Sequence, residues 1–193
     1  MGKATQPQSH RPGLANQNSG ADQKKVVWRF IVTFVISLAS GGALFAYIAS
    51  SHHGFMQALM EGTAAITGFT VGLFSDSTTY AGQICTFQNF TVKIIDECTG
   101  VLEMVIYTAA VVAYPTGWRH KMWGIVYGVP AIYAFNVIRI ILLLVVGAYS
   151  KPLFEFMHLY FWQATLIVII ATIWIGWLLL VVYREKDAVA VSS

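Results

Sequence analysis

The sequence predicts an all-α integral membrane protein: a small multi-span helical bundle of about four spans plus one re-entrant or interfacial helix, with a short outer β-hairpin. Three observations carry this prediction. The 193 residues are 56% hydrophobic and only 11% charged, where soluble domains carry roughly a quarter charged residues. The mean hydropathy is +0.62, and it is concentrated in apolar runs of membrane-spanning length. The basic residues that make up the net charge of +3 cluster in short loops and tails. That clustering sets topology and does not form a nucleic-acid surface.

Residues 1–23 are rich in Gln, Asn, Ser, Gly and Pro and lack apolar periodicity, which predicts a disordered cytoplasmic tail. They are not a signal peptide, because the apolar stretch that follows is too long and shows no clear small-residue cleavage site. The membrane-embedded domain runs over 24–186, and residues 187–193 form a second cytoplasmic tail. Val26–Ala49 crosses a hydrocarbon core of about 30 Å. Lys24, Lys25 and Arg29 at its start put the N-terminus in the cytoplasm.

Three further runs are strongly apolar: Val101–Tyr114, Trp123–Tyr149 and Gln163–Tyr183. The first reaches spanning length when extended back to Cys98 and on to Trp118. Gly117–Lys121 is a compact basic loop, expected inside, as are Arg184, Glu185 and Lys186. The Ser150–Tyr160 link then faces outward. Trp28, Trp118, Trp123 and Tyr183 belt the inner interface, with Tyr149, Tyr160 and Trp162 on the outer one.

This orientation requires everything between Ala49 and Cys98 to begin and end outside. Residues 55–74 are helical and moderately apolar but carry Glu61 and three glycines. They are expected to lie in the outer interface or to dip in and return; the alternative is an ordinary span with the positive-inside rule failing at one loop. Residues 76–97 are polar with turn signals. Gln83–Phe87 and Phe90–Ile94 are expected to pair as a hairpin, with Phe90, Val92 and Ile94 on one face.

Three residues are out of place chemically. Cys98 follows two acids where polar sequence gives way to a hydrophobic helix. With Asp96 as cap, the thiol falls in the first turn, where free N–H groups and the helix macrodipole favour thiolate. Asp96 and Glu97 oppose this, so a cationic partner is needed. Arg139 lies in an apolar helix about 13 Å below its outer end. At that depth it costs about 2.5–3.5 kcal/mol and requires a partner or a wet cavity. Asn136, on the same face, extends a polar stripe, and Pro130 kinks the helix or frees a carbonyl to line a cavity. Glu103 is a candidate salt-bridge partner for Arg139, either as a purely structural pair or as a group that orients the guanidinium.

His158, with Glu155 three residues before it, heads the last span and is suited to proton transfer with a thiol. The bland reading is an interfacial histidine among aromatics. His52 and His53 are competing candidates, while His120 falls on the opposite side. Cys85 lies on the same side as Cys98, so a disulfide between them is an open alternative that excludes a Cys98 nucleophile. No metal spacing, nucleotide loop or haem motif is present, so no cofactor is expected.

A Cys-Thr-Gly motif at 98–100 opening a helix, an Asn-Val-Ile-Arg motif at 136–139 in the next, and His158 at the head of the following one resemble the exosortase/archaeosortase family. The short length and minimal span set are similar to its small exosortase H type. The resemblance covers roughly residues 55–180 and rests on motif order and spacing, since neither motif is specific alone. It implies a membrane cysteine protease/transpeptidase acting on exported proteins that carry a C-terminal signature, a transmembrane helix and a basic cluster. Cys98 would be the nucleophile, Arg139 the essential arginine and His158 the third polar group. The product would pass through a thioester to a lipid or glycan acceptor, with membrane lipid as the surrounding partner. Two other readings stand beside it: a plain hydrolase, and a non-enzymatic transport or assembly subunit in which Arg139 is a structural salt-bridge residue.

Overall fold

The computed structural model describes residues 14–51 and 53–183. The expected basic turn Arg184–Lys186, the tail 187–193, most of the N-terminal tail and His52 lie outside the described residues. The element order is α1 (Leu14–Ser51), α2 (His53–Gly72), β1 (Thr78–Ala81), β2 (Ile84–Phe87), β3 (Phe90–Lys93), a 3-10 turn (Asp96–Cys98), α3 (Val101–Ala113), α4 (Trp118–Tyr149), α5 (Lys151–Phe156) and α6 (Trp162–Trp177). A π-helical turn, Met157–Phe161, joins α5 to α6, and a second one, Leu178–Tyr183, follows α6.

Three helices are long and apolar enough to cross a membrane: Asp22–Ser51, Trp118–Tyr149 and Lys151–Val181. Their outward faces carry large apolar residues such as Val35, Leu44, Ile167 and Leu180 in the open, a pattern that suits lipid and not water. The described part of the expected disordered tail, Leu14–Gln23, is instead the beginning of α1. Adding turns to a helix already nucleated by an apolar span is cheap, and Asp22 on that stretch pairs with Lys25 one turn on at 3.4 Å.

The fourth expected span is cut short. α3 has 13 residues, about 20 Å at helical rise, and does not extend to Cys98 or to Trp118. Gly100, at φ 75°, ends its N-terminal side, and Tyr114-Pro115 ends the other, the residue before a proline being driven into extended backbone. Tyr114 has ψ 132°. Consequently Trp118–Lys121 is the first turn of α4 and not a loop. The Ser150–Tyr160 link is likewise helix: Ser150 accepts from the Leu153 N–H with Pro152 in the first turn, a helix-start signal the apolar run obscured.

α3 runs antiparallel to α4. Its contacts step down from Gly100 against Asn136, to the Tyr107 hydroxyl donating to the Gly124 carbonyl at 2.9 Å, to Lys121 donating to the Val112 carbonyl at 2.6 Å. α4 continues past Asn136 through Tyr149. Pro130 sits inside it without ending it.

Against this overhanging part of α4 packs a three-stranded antiparallel sheet in the order β1-β2-β3. The expected hairpin is present as β2 and β3, with Phe87 opposite Phe90 and Gln88 at φ 52° in the turn. β1 is an additional strand. α2 covers the sheet: the Cys85 thiol donates to the Ala64 carbonyl, Tyr80 lies on Gly68, and Thr63 bonds the Tyr133 hydroxyl at 3.1 Å. Two cores result. One, at the sheet end, joins Ala64, Val71, Cys85, Phe87, Ile94, Ile140 and Leu144. The other, toward Trp118, joins Tyr107, Val111, Ile132 and Trp177.

The second core depends on close backbone approach at Gly128, where any added Cβ overlaps the Tyr107 ring. Gly128→Val is expected to destabilise the protein by about 1–3 kcal/mol through overpacking, read as a lowered melting temperature in detergent. Gly176→Ala, where a Cβ meets nothing, is expected to be neutral or stabilising by up to about 1 kcal/mol.

Candidate active site

Cys98 closes the 3-10 turn that follows β3, its N–H donating to the Ile95 carbonyl at 2.9 Å. Asp96 was expected to cap a helix containing Cys98, but Ile95 occupies the cap position with no side-chain bond. Thr99 and left-handed Gly100 separate the thiol from α3. The reason is steric: a Cβ at Gly100 would lie 3.0 Å from the Asn136 side chain. Passing this close to Asn136 with φ 75° favours glycine, and Cys98 lines a cavity and is not the first turn of α3.

Asn136 is fully buried, and its amide works in two directions. Nδ2 donates to the Cys98 carbonyl at 2.6 Å, and Oδ1 accepts from Arg139 Nη1 at 3.4 Å. Only one orientation of the amide satisfies both partners, since the carbonyl needs a donor and the guanidinium an acceptor. The polar stripe expected on this helix is therefore a bridge between the thiol segment and the arginine.

Arg139 is 8% exposed. Its Nε carries a buried hydrogen that finds no acceptor. The expected Arg139–Glu103 ion pair is not formed: among the described residues the ion pair observed is Lys25–Asp22. Glu103 lies in the first turn of α3, half-buried. Arg139 thus keeps guanidinium donors available, and it lines a cavity of about 380 Å³ together with Cys98 and His158. Glu155 is exposed and does not line that cavity.

His158 stands at the mouth, exposed, within the π-helical turn Met157–Phe161. Such wide turns recur at functional sites because they reset the direction of one side chain. A stack of rings holds it there. The imidazole lies parallel to Phe154 at 5.4 Å and 9°, and Phe154 meets Phe90 edge-on at 4.9 Å. The Phe90 ring in turn occupies the space a side chain at Gly147 would need. The hairpin therefore positions the histidine through two phenylalanines. Sequence reasoning found Phe90 as a core-face residue but had no means to pair it with Gly147 and Phe154.

The other candidates fall away from this cavity. His53 is exposed at the start of α2 and His120 lies in the first turn of α4, at the far end of the bundle. Cys85 and Cys98 are both free thiols. Cys85 is fully buried, and burial pushes its thiol up from the usual range, against a smaller lowering by the Gly68 backbone. A raised value keeps this group protonated, and so unreactive, through neutral pH. Maleimide at pH 7 is therefore expected to label the folded protein once, at Cys98. Intact mass should show no label in Cys98→Ser and a second label only after denaturation.

The model of one protein family, described as transmembrane exosortase (Exosortase_EpsH), matches residues 13–176. No curated protein and no solved structure matches the chain. The matched stretch takes in the sheet, the bridge at Asn136 and the cavity residues Cys98, Arg139 and His158, and over that length this chain belongs to the transmembrane exosortase family.

Proposed function

We propose that this protein is a cysteine transpeptidase of the cytoplasmic membrane that trims the C-terminal sorting tail of exported proteins and transfers the product to a lipid or glycan acceptor. The observation that carries the reading is the convergence of Cys98, Arg139 and His158 on one cavity from three separate segments.

In the proposed reaction, the Cys98 sulfur bonds to a backbone carbonyl carbon of the substrate while His158 takes the thiol proton. The carbonyl oxygen becomes an oxyanion facing the Arg139 donors, including the unpaired Nε. Collapse breaks the C–N bond, and the departing amine takes the proton from His158. The trimmed protein remains as a thioester on Cys98. A hydroxyl or amine of the acceptor then attacks that thioester, giving up its proton as the thiol is restored.

Helix length supports placing this site at the outer face. α4 has 32 residues, about 48 Å, against a hydrocarbon core of about 30 Å. With Arg119, His120 and Lys121 inside by the positive-inside rule, the core ends near Asn136–Arg139 and the sheet stands beyond it. A substrate held by its own membrane helix presents the residues before that helix at this level. Two points that fix α2, at Cys85 and Tyr80, lie on the sheet, and the third, at Tyr133, reaches about one turn inward of Asn136, which supports an outer helix that dips in and returns and not a span.

The test is co-expression with an exported protein of the source genome that carries a signature, an apolar helix and a basic cluster at its C-terminus. Cys98→Ala is expected to abolish trimming while the protein still inserts. Arg139→Ala should lower the rate by about 10²–10³, the usual effect of removing one oxyanion donor. His158→Ala should slow trimming less severely. A mature C-terminus carrying added mass supports transfer, whereas a bare carboxylate indicates hydrolysis. Trimming that survives Cys98→Ala would overturn the mechanism.

A further inference from the structure

Every residue from Phe90 to Ile95 lines the cavity that holds Cys98 and Arg139. A strand that turned one face to a cavity would contribute alternate residues, because successive side chains point to opposite faces. Six consecutive lining residues mean that β3 borders the cavity edge-on. β3 is also an outer strand of its sheet, so that edge has no neighbouring strand.

The hydrogen-bond alternation of an antiparallel ladder shows which groups lie on the open edge. The Ile94 N–H donates to the Gln83 carbonyl, so Ile94, Val92 and Phe90 turn their backbone polar groups toward β2. Thr91 and Lys93 turn theirs away. The Thr91 and Thr86 hydroxyls meet at 3.0 Å across the hairpin, as opposed side chains do in the close, non-bonded pairs of such a ladder. Thr91 and Lys93 have no backbone partner on the open side among the described residues.

We infer that the substrate binds as an added strand, its extended backbone pairing with the N–H and C=O groups of Thr91 and Lys93 along the open edge of β3. This rests on the catalytic reading above and supplies what that reading lacks, a device that aligns the scissile carbonyl. Edge pairing draws affinity from the main chain and leaves selectivity to alternate side chains. The direction is set by geometry. β3 runs from the hairpin tip, where Phe90 lies on Gly147, down to Cys98 at the level of Asn136. A chain that descends toward its own membrane helix travels the same way, so the added strand is parallel to β3. Substrate side chains on one face of that strand then enter the apolar wall formed by Ile140, Leu143 and Phe154.

Proline at Thr91 or Lys93 removes an outward N–H and spares the ladder to β2, since prolines are tolerated on edge strands in that orientation. Thr91→Pro and Lys93→Pro are each expected to slow Cys98-dependent trimming of the co-expressed substrate by about tenfold or more, through a lost bond and the intruding ring. Membrane abundance and the maleimide labelling rate of Cys98 should stay unchanged. A second measurement leaves the enzyme intact. In detergent, a synthetic peptide spanning the trimmed bond is N-methylated one position at a time, and the rate should fall at every second position. Proline variants that keep the wild-type rate, or methylation losses without that alternation, overturn strand pairing. If the prolines lower abundance or expose Cys85 to label, the peptide series alone decides. Trimming that does not require Cys98 overturns the catalytic reading instead, and with it this inference.

Discussion

The amide of Asn136 is the interaction on which the site depends. It bonds both the chain segment carrying the thiol and the guanidinium buried beside it. Each of those groups alone is unfavourable once buried. A carbonyl at Cys98 without a donor and a guanidinium without an acceptor would each carry the desolvation cost of an unsatisfied polar group. Joined through one amide, each satisfies part of the other's requirement. The close pass at Gly100 is the covalent counterpart of this arrangement: a left-handed backbone at φ 75° and a Cβ position 3.0 Å from the Asn136 side chain both favour glycine beside the 2.6 Å bond.

The histidine is held by different physics. Among the described residues what touches it is a chain of rings, Phe154 stacked on the imidazole and Phe90 edge-on to Phe154. Ring stacking positions an imidazole without engaging its nitrogens. The cost falls on α4, where Gly147 has to remain bare for Phe90 to seat. The small sheet therefore has two roles. Its face packs into the core with Cys85 and Phe87, and its hairpin tip steers His158 from outside.

The two cysteines show how environment divides one chemistry. Both belong to the same region of the core, yet Cys85 is sealed by α2 with its thiol donating to a carbonyl, whereas Cys98 opens onto the cavity. Both remain free thiols.

Composition and apolar run length were enough to determine a membrane helical bundle, because crossing a hydrocarbon layer demands about twenty apolar residues whatever their neighbours are. Arg139 and Asn136 stood out for the same reason, since polar groups in an apolar run carry a cost that needs a partner, whereas Cys98 and His158 stood out by their positions at helix starts. Alternation likewise revealed the hairpin. What the sequence could not determine was which partner each group takes. Glu103 and Asn136 were both within one or two turns of eligibility, and only the crossing of α3 on α4 selects the amide. Helix ends were also misjudged, with α3 too long and the last helix too short, since Gly100, Tyr114-Pro115 and Ser150-Lys151-Pro152 act through local backbone geometry that hydropathy does not record. The open edge of β3, the contact of Gly147 with Phe90 and the shared cavity exist only once segments far apart in the chain are packed together. Local sequence encodes the cost of a buried group, but its satisfaction is a property of three-dimensional proximity.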